Sequence, residues 1–151
     1  MPDLHPRLIQ EGRQVIEHGL DAVADPDLVP LSFDVVEGDV AAVLFSHDGA
    51  RAWVIYEYAT EWSHIGLTAI RAGVGPPSTA EVSVEVHWII RERSRIRRWS
   101  LRGRHLVHGQ VLRTKGIARL HVDSRIVATP HDWAIMVWRG RDMPAYAVPD
   151  V

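Results

Sequence analysis

Two hydrophobic periods divide the chain. Leu8, Ile9, Gly12, Val15, Ile16, Leu20 and Val23 recur at steps of three and four, the period that builds one apolar stripe along a helix. Glu11, Arg13, Gln14 and Glu17 lie between them. His5 precedes Pro6 and is biased away from helical angles, while Pro6 suits a first helical position. Asp25-Pro26-Asp27 ends the pattern. The spacing predicts a helix over residues 6–23 whose stripe packs on a sheet.

From Leu31 the period changes to two. Strands are predicted over 32–36, 40–45, 51–58, 65–71, 81–90, 96–101, 106–112, 117–122, 126–128 and 133–138. Asp48-Gly49 between two apolar runs is a strong hairpin signal, because both turn positions favour positive φ. Strand 81–90 alternates most cleanly: Val82, Val84, Val86, Trp88 and Ile90 on one face, Glu81, Ser83, Glu85, His87 and Ile89 on the other. Gly73-Val74-Gly75-Pro76-Pro77-Ser78 is a breaker, read as a long loop between two sheets. One helix followed by many short, evenly spaced strands predicts a mainly β (α+β) fold: an antiparallel β-sandwich or partly open barrel of about 8–10 strands with one N-terminal amphipathic helix. A single domain over 1–151 is expected, since a core of about 75 residues per half is marginal without metal or disulfide.

Composition narrows the function classes. Of 151 residues, 46% are apolar and 24% charged, the balance of a soluble globular chain. The lack of cysteine removes thiol nucleophiles, disulfide scaffolds, Cys-ligated zinc and iron–sulfur clusters. No run approaches the ~18 apolar residues of a membrane span. The N-terminus shows no basic-then-apolar leader. A cytoplasmic location without a membrane partner is therefore expected.

The net charge of −2 hides an asymmetry. Residues 1–75 carry 12 acids against 4 bases, a net of −8, and residues 76–151 carry 7 acids against 13 bases, a net of +6. Arg91, Arg93, Arg95, Arg97, Arg98, Arg102 and Arg104 cluster around Trp99, opposed only by Glu92. Such a segment suits an edge strand blunted by charge, a protein interface steered by opposite potentials, or a polyanion contact. A pI near 6.5 argues against a dedicated nucleic-acid domain.

Few catalytic constellations survive inspection. Gly73-Val74-Gly75 is followed by prolines rather than a helix, so no N-terminal amides await a pyrophosphate, and no cofactor is expected. No Gly-x-Ser-x-Gly occurs. Among nine histidines, His105 and His108 come nearest to metal-ligand spacing, yet an odd step on a strand separates them to opposite faces. His121 and His131 lie downstream of them. Glu81 and Glu85 stand roughly 13 Å apart by strand rise, too far for a glycosidase pair. Glu85 and His87 share a face two residues apart and form the one acid/base candidate. Trp53, Trp88, Trp133 and Trp138 fall in strand patterns as core aromatics, whereas Trp62 and Trp99 are expected to be partly exposed.

The leading expectation is a non-enzymatic interaction module. Arg95, Arg97, Arg98, Arg102 and Arg104 would pair with acids on a partner protein or a second copy, Trp99 would anchor the contact, and Trp62 would add to it. The first alternative is a small-molecule binder or enzyme, with a pocket in a curved sheet capped by the helix and Glu85 and His87 as its polar groups. The second is nucleic-acid or other polyanion binding through residues 91–104.

Overall fold

The computed structural model describes residues 4–19, 28–36, 40–47, 50–58, 61–71, 82–91, 106–123, 125–129, 131–140 and 143–147. Helix α1 spans Leu4–Gly19, and β1 to β5 span Val29–Val36, Val40–His47, Ala50–Tyr58, Trp62–Arg71 and Val82–Arg91. Strands β6 to β10 span Leu106–Thr114, Arg119–Val122, Arg125–Ala128, Trp133–Arg139 and Tyr146–Ala147. The fold is mostly β, in three antiparallel sheets with orders β1-β2-β3-β4, β5-β6-β9 and β10-β7-β8. No sheet closes into a barrel, and the arrangement is a partly open sandwich. The predicted strand 96–101 and the Gly-Pro-Pro segment 73–78 lie outside the described residues. The helix begins two residues before Pro6, which its first turn tolerates because N–H groups there have no intrahelical acceptor.

The elements stack in four layers with three apolar seams. The central seam joins Ala42, Leu44, Trp53 and Ile55 of the first sheet to Val107, Val111, Trp133, Ile135 and Val137 of the second. The opposite face of the first sheet, with Val43, Phe45, Val54 and Tyr56, packs under Leu8 of α1. The opposite face of the second sheet, with Leu112, Ala134, Met136 and Trp138, packs on Leu120, Val122 and Val127 of the third. Sheets covered on both faces explain why β2, β3 and β9 read as continuous apolar runs rather than alternating ones.

The helix sits close. A Cβ on Gly12 would lie 2.8 Å from Phe45 Cε2 and 2.8 Å from the Tyr56 hydroxyl, so only glycine allows this approach. Tyr56 donates to the Leu8 carbonyl at 3.0 Å. Burial, with the Glu11 carboxylate second, pushes the phenol's ionisation above the ordinary tyrosine range, which keeps it a donor. Tyr56→Phe is expected to cost about 1 kcal/mol, the net worth of one neutral buried hydrogen bond, measured by urea unfolding.

Two sheets are joined along one margin by side chains. Ser32 and Asp34 point from β1 toward β9, where Ser32 Oγ accepts from Ile135 N at 3.1 Å and Asp34 Oδ2 accepts from Val137 N at 2.8 Å. Those two N–H groups stand two residues apart on the margin of β9 away from β6, where no strand pairs with them among the described residues. Arg125 completes the clip with bonds to Asp34 Oδ1 at 2.7 Å, Asp34 Oδ2 at 2.8 Å and the Val137 carbonyl at 2.7 Å. Buried backbone donors need acceptors, and β1 supplies them from side chains instead of a ladder.

Candidate functional site

The outer face of the β5-β6-β9 sheet carries a polar cluster set by register. His87 of β5 lies opposite Gln110 of β6, Ile89 lies opposite His108, and His108 lies opposite Trp138 of β9. Partners directly opposite in a ladder point to the same face, so His87, His108, Gln110 and Trp138 share one surface.

A register shift between Val84 and Val86 makes this possible. The strict alternation expected for 81–90 breaks there. Val82 packs on the outer seam with Leu112, whereas Val86, Trp88 and Ile90 pack on the central seam. One extra residue exchanges the faces of everything beyond it. Glu85 is that residue and has no partner in the register.

Bond directions within the cluster follow from donor inventory. The Gln110 amide nitrogen donates to His87 Nδ1 at 3.3 Å. His87 therefore carries its proton on Nε2 and gives it to His108 Nδ1, also at 3.3 Å. That leaves the His108 proton on Nε2, which is buried without a hydrogen-bond partner among the described residues, as are Gln110 Oε1 and Trp138 Nε1. Trp138 stacks on the His108 ring at 5.5 Å and 14°, and meets the His87 ring edge-on at 5.6 Å. Burial first, and the neighbouring His87 second, push the His108 imidazolium below the ordinary histidine range. Met143 Sδ accepts from the Gln110 amide nitrogen at 3.6 Å.

The structure brings together two residues that sequence reading kept apart: His87, an acid/base candidate with Glu85, and His108, a metal candidate with His105. The hydrogen bonds of His87 run to Gln110 and His108 rather than to Glu85. His105 lies outside the described residues, as do Arg95, Arg97, Arg98, Trp99, Arg102 and Arg104. No group of three or more His, Cys, Asp or Glu placed to hold a metal occurs among the described residues. Gln110 and Met143 are not singled out by the sequence, and Trp138 is singled out only as a core aromatic, which its 4% exposure bears out. The available signal was His108 and Gln110 at alternate positions on a strand whose next residue on that face, Leu112, is apolar.

Trp62 corrects an expectation. Instead of being partly exposed it opens β4 opposite Tyr58, is 7% exposed, and lies 5.4 Å from the Tyr58 ring. The pairing of β3 and β4 out to Tyr58↔Trp62 carries the side chain onto the helix-side seam, so it is not a surface contact. An Arg–Trp pairing of the sort expected at Trp99 occurs at Trp133, where Arg51 and Arg113 stand 4.5 and 5.4 Å from the ring centre.

Leu8, Phe45 and Tyr56 pack together beneath the helix. A cavity of about 360 Å³ opens beside β1, lined by Ile9 of α1 together with Leu31, Phe33 and Ile126, and neither Glu85 nor His87 lines it. No helix among the described residues is long and apolar enough to cross a membrane. Comparison with protein-family models, curated proteins and solved structures finds no match.

Proposed function

We propose that the protein is a non-enzymatic, cytoplasmic interaction module that binds an acidic protein surface, in the first instance a second copy of itself, along β5 and the Arg-rich segment that continues from it. The observation carrying this reading is the margin of β5. Among the described residues this ten-residue strand pairs only with β6, so its other side offers backbone donors and acceptors to an incoming strand. Val84 and Ile89 on it are 47% and 58% exposed, and Arg91 ends it exposed. Apolar contact beside guanidiniums suits an anchor with charge steering. The net charge of −8 over residues 1–75 supplies an opposite potential in a second copy.

Light scattering on a sizing column at low and high salt tests this. The wild-type chain is expected to run as a dimer or larger species at low salt and to dissociate at high salt. Ile89→Lys, and separately Arg97→Ala combined with Trp99→Ala, are expected to run as monomers at both salts with unchanged circular dichroism. A wild-type monomer at both salts overturns the reading. A monomer that carries excess 260 nm absorbance and sheds it at high salt assigns the arginines to a polyanion instead.

A further inference from the structure

We propose that His87, His108 and Met143 form a binding site for copper(I) on the outer face of the β5-β6-β9 sheet. This is a metal-binding activity separate from the protein contact along β5.

The distance between the facing nitrogens supports it first. His87 Nε2 and His108 Nδ1 stand 3.3 Å apart on rings set at 88°. Two imidazole nitrogens on one tetrahedral ion, each at about 2.0–2.1 Å, are about 3.3 Å from each other. The backbones of β5 and β6 already hold the pair at that separation, so small ring rotations turn both lone pairs toward a common point. The proton now shared between the nitrogens occupies the place the ion would take.

The surroundings support it second. A ligating histidine ordinarily donates its other ring N–H to an oxygen acceptor, which fixes its tautomer. With an ion on Nε2, His87 must carry its proton on Nδ1, the atom that faces the Gln110 amide at 3.3 Å. Half a turn of that amide exchanges its nitrogen for Oε1, which is buried and without a partner. The oxygen that now lacks a donor then accepts from His87 Nδ1. The proton on His87 Nε2 moves to Nδ1, and coordination requires no oxidant or reductant.

The third ligand selects the ion. Met143 Sδ reaches the same Gln110 amide, and its residue is 51% exposed, free to turn its thioether inward. Imidazole alone suits zinc, copper and nickel alike, whereas a thioether favours copper(I). The Trp138 ring lies flat on His108 and covers one face of that imidazole.

The test is anaerobic titration of the full chain with copper(I), using the chromophoric chelator bathocuproine disulfonate as competitor and tryptophan emission as a second readout. One copper(I) per chain is expected, with quenching that disappears in Trp138→Phe. His87→Ala and His108→Ala are each expected to weaken binding at least 100-fold. Met143→Leu, at an exposed position that leaves the fold intact, is expected to weaken it about 10-fold while leaving zinc binding unchanged. Failure of the wild-type chain to compete for copper(I), or tighter binding of zinc with no effect of Met143→Leu, overturns the proposal. Should either histidine variant unfold, the Met143→Leu comparison decides alone.

Discussion

Asp34→Ala is expected to destabilise the protein by about 3–5 kcal/mol, the range for removing one partner of a buried ion pair. Asp34 is 3% exposed, and its carboxylate takes both nitrogens of the Arg125 fork as well as Val137 N. Alanine leaves a partly buried guanidinium that keeps the Val137 carbonyl but loses its bonded carboxylate, and a buried N–H without an acceptor. The energetic content lies in those orphaned groups more than in the attraction itself, and two further variants separate the terms. Asp34→Leu with Arg125→Leu is expected to recover at least half of the loss, because no charge remains buried. Asp34→Asn is expected to cost about 1–2 kcal/mol, since a neutral amide still accepts from Val137 N. The protonation balance agrees with this mildness. Burial outweighs Arg125 and the backbone donors, so the Asp34 carboxyl titrates above its ordinary value of 3.8. A carboxyl raised in the folded state binds its proton there before the unfolded chain does. Through this group, acidification toward 3.8 therefore favours the folded form. Urea unfolding followed by tryptophan emission measures all three variants, and a loss under about 1 kcal/mol for Asp34→Ala would place the pair with surface bridges.

The clip also shows where sequence reading stops. Period two from Leu31 onward announces sheets, and one helix followed by many short, evenly spaced strands gives the fold class; that β2, β3 and β9 are covered on both faces emerges only from the packing. Ser32 and Asp34, however, look like ordinary outward positions of an alternating strand, and nothing local says that they face the bare margin of β9 about a hundred residues later. The candidate site is hidden for the same reason. His87 and His108 are 21 residues apart, and only the β5–β6 register joins them. A bulge at Val84–Val86 resets that register, and bulges leave a weak trace in sequence because one added residue preserves alternation on either side. Trp62 follows polar Thr60 and Glu61 in the sequence, and nothing local says that its side chain joins the helix-side seam. What the chain spells out is periodicity; what it withholds is which periods meet.

Gly109→Ala is expected to reverse sign with its neighbour. Gly109 of β6 pairs directly with Trp88 of β5, and the Trp88 indole lies over it so closely that a Cβ there would fall within the ring. The ring in turn packs against the central seam. In the wild-type chain alanine must displace the indole and pull it from that seam, an overpacking loss of about 1–3 kcal/mol. Trp88→Ala removes the ring and the conflict together. In that background Gly109→Ala is expected to stabilise by about 0.5–1 kcal/mol, the ordinary gain from replacing glycine inside a strand. The coupling between the two substitutions is then about 1.5–4 kcal/mol, at or above the upper part of the range of about 0.5–3 kcal/mol for residues in contact. A double-mutant cycle by urea unfolding reads it, and additivity within about 0.5 kcal/mol would mean that the ring does not rest on Gly109. His108 and Gln110 flank Gly109 and project to the opposite face, so a shift of β6 that accommodates the new methyl also moves the imidazole pair. Weaker copper(I) binding in Gly109→Ala, restored in the double variant, would tie the packing on one face of β6 to the chemistry on the other.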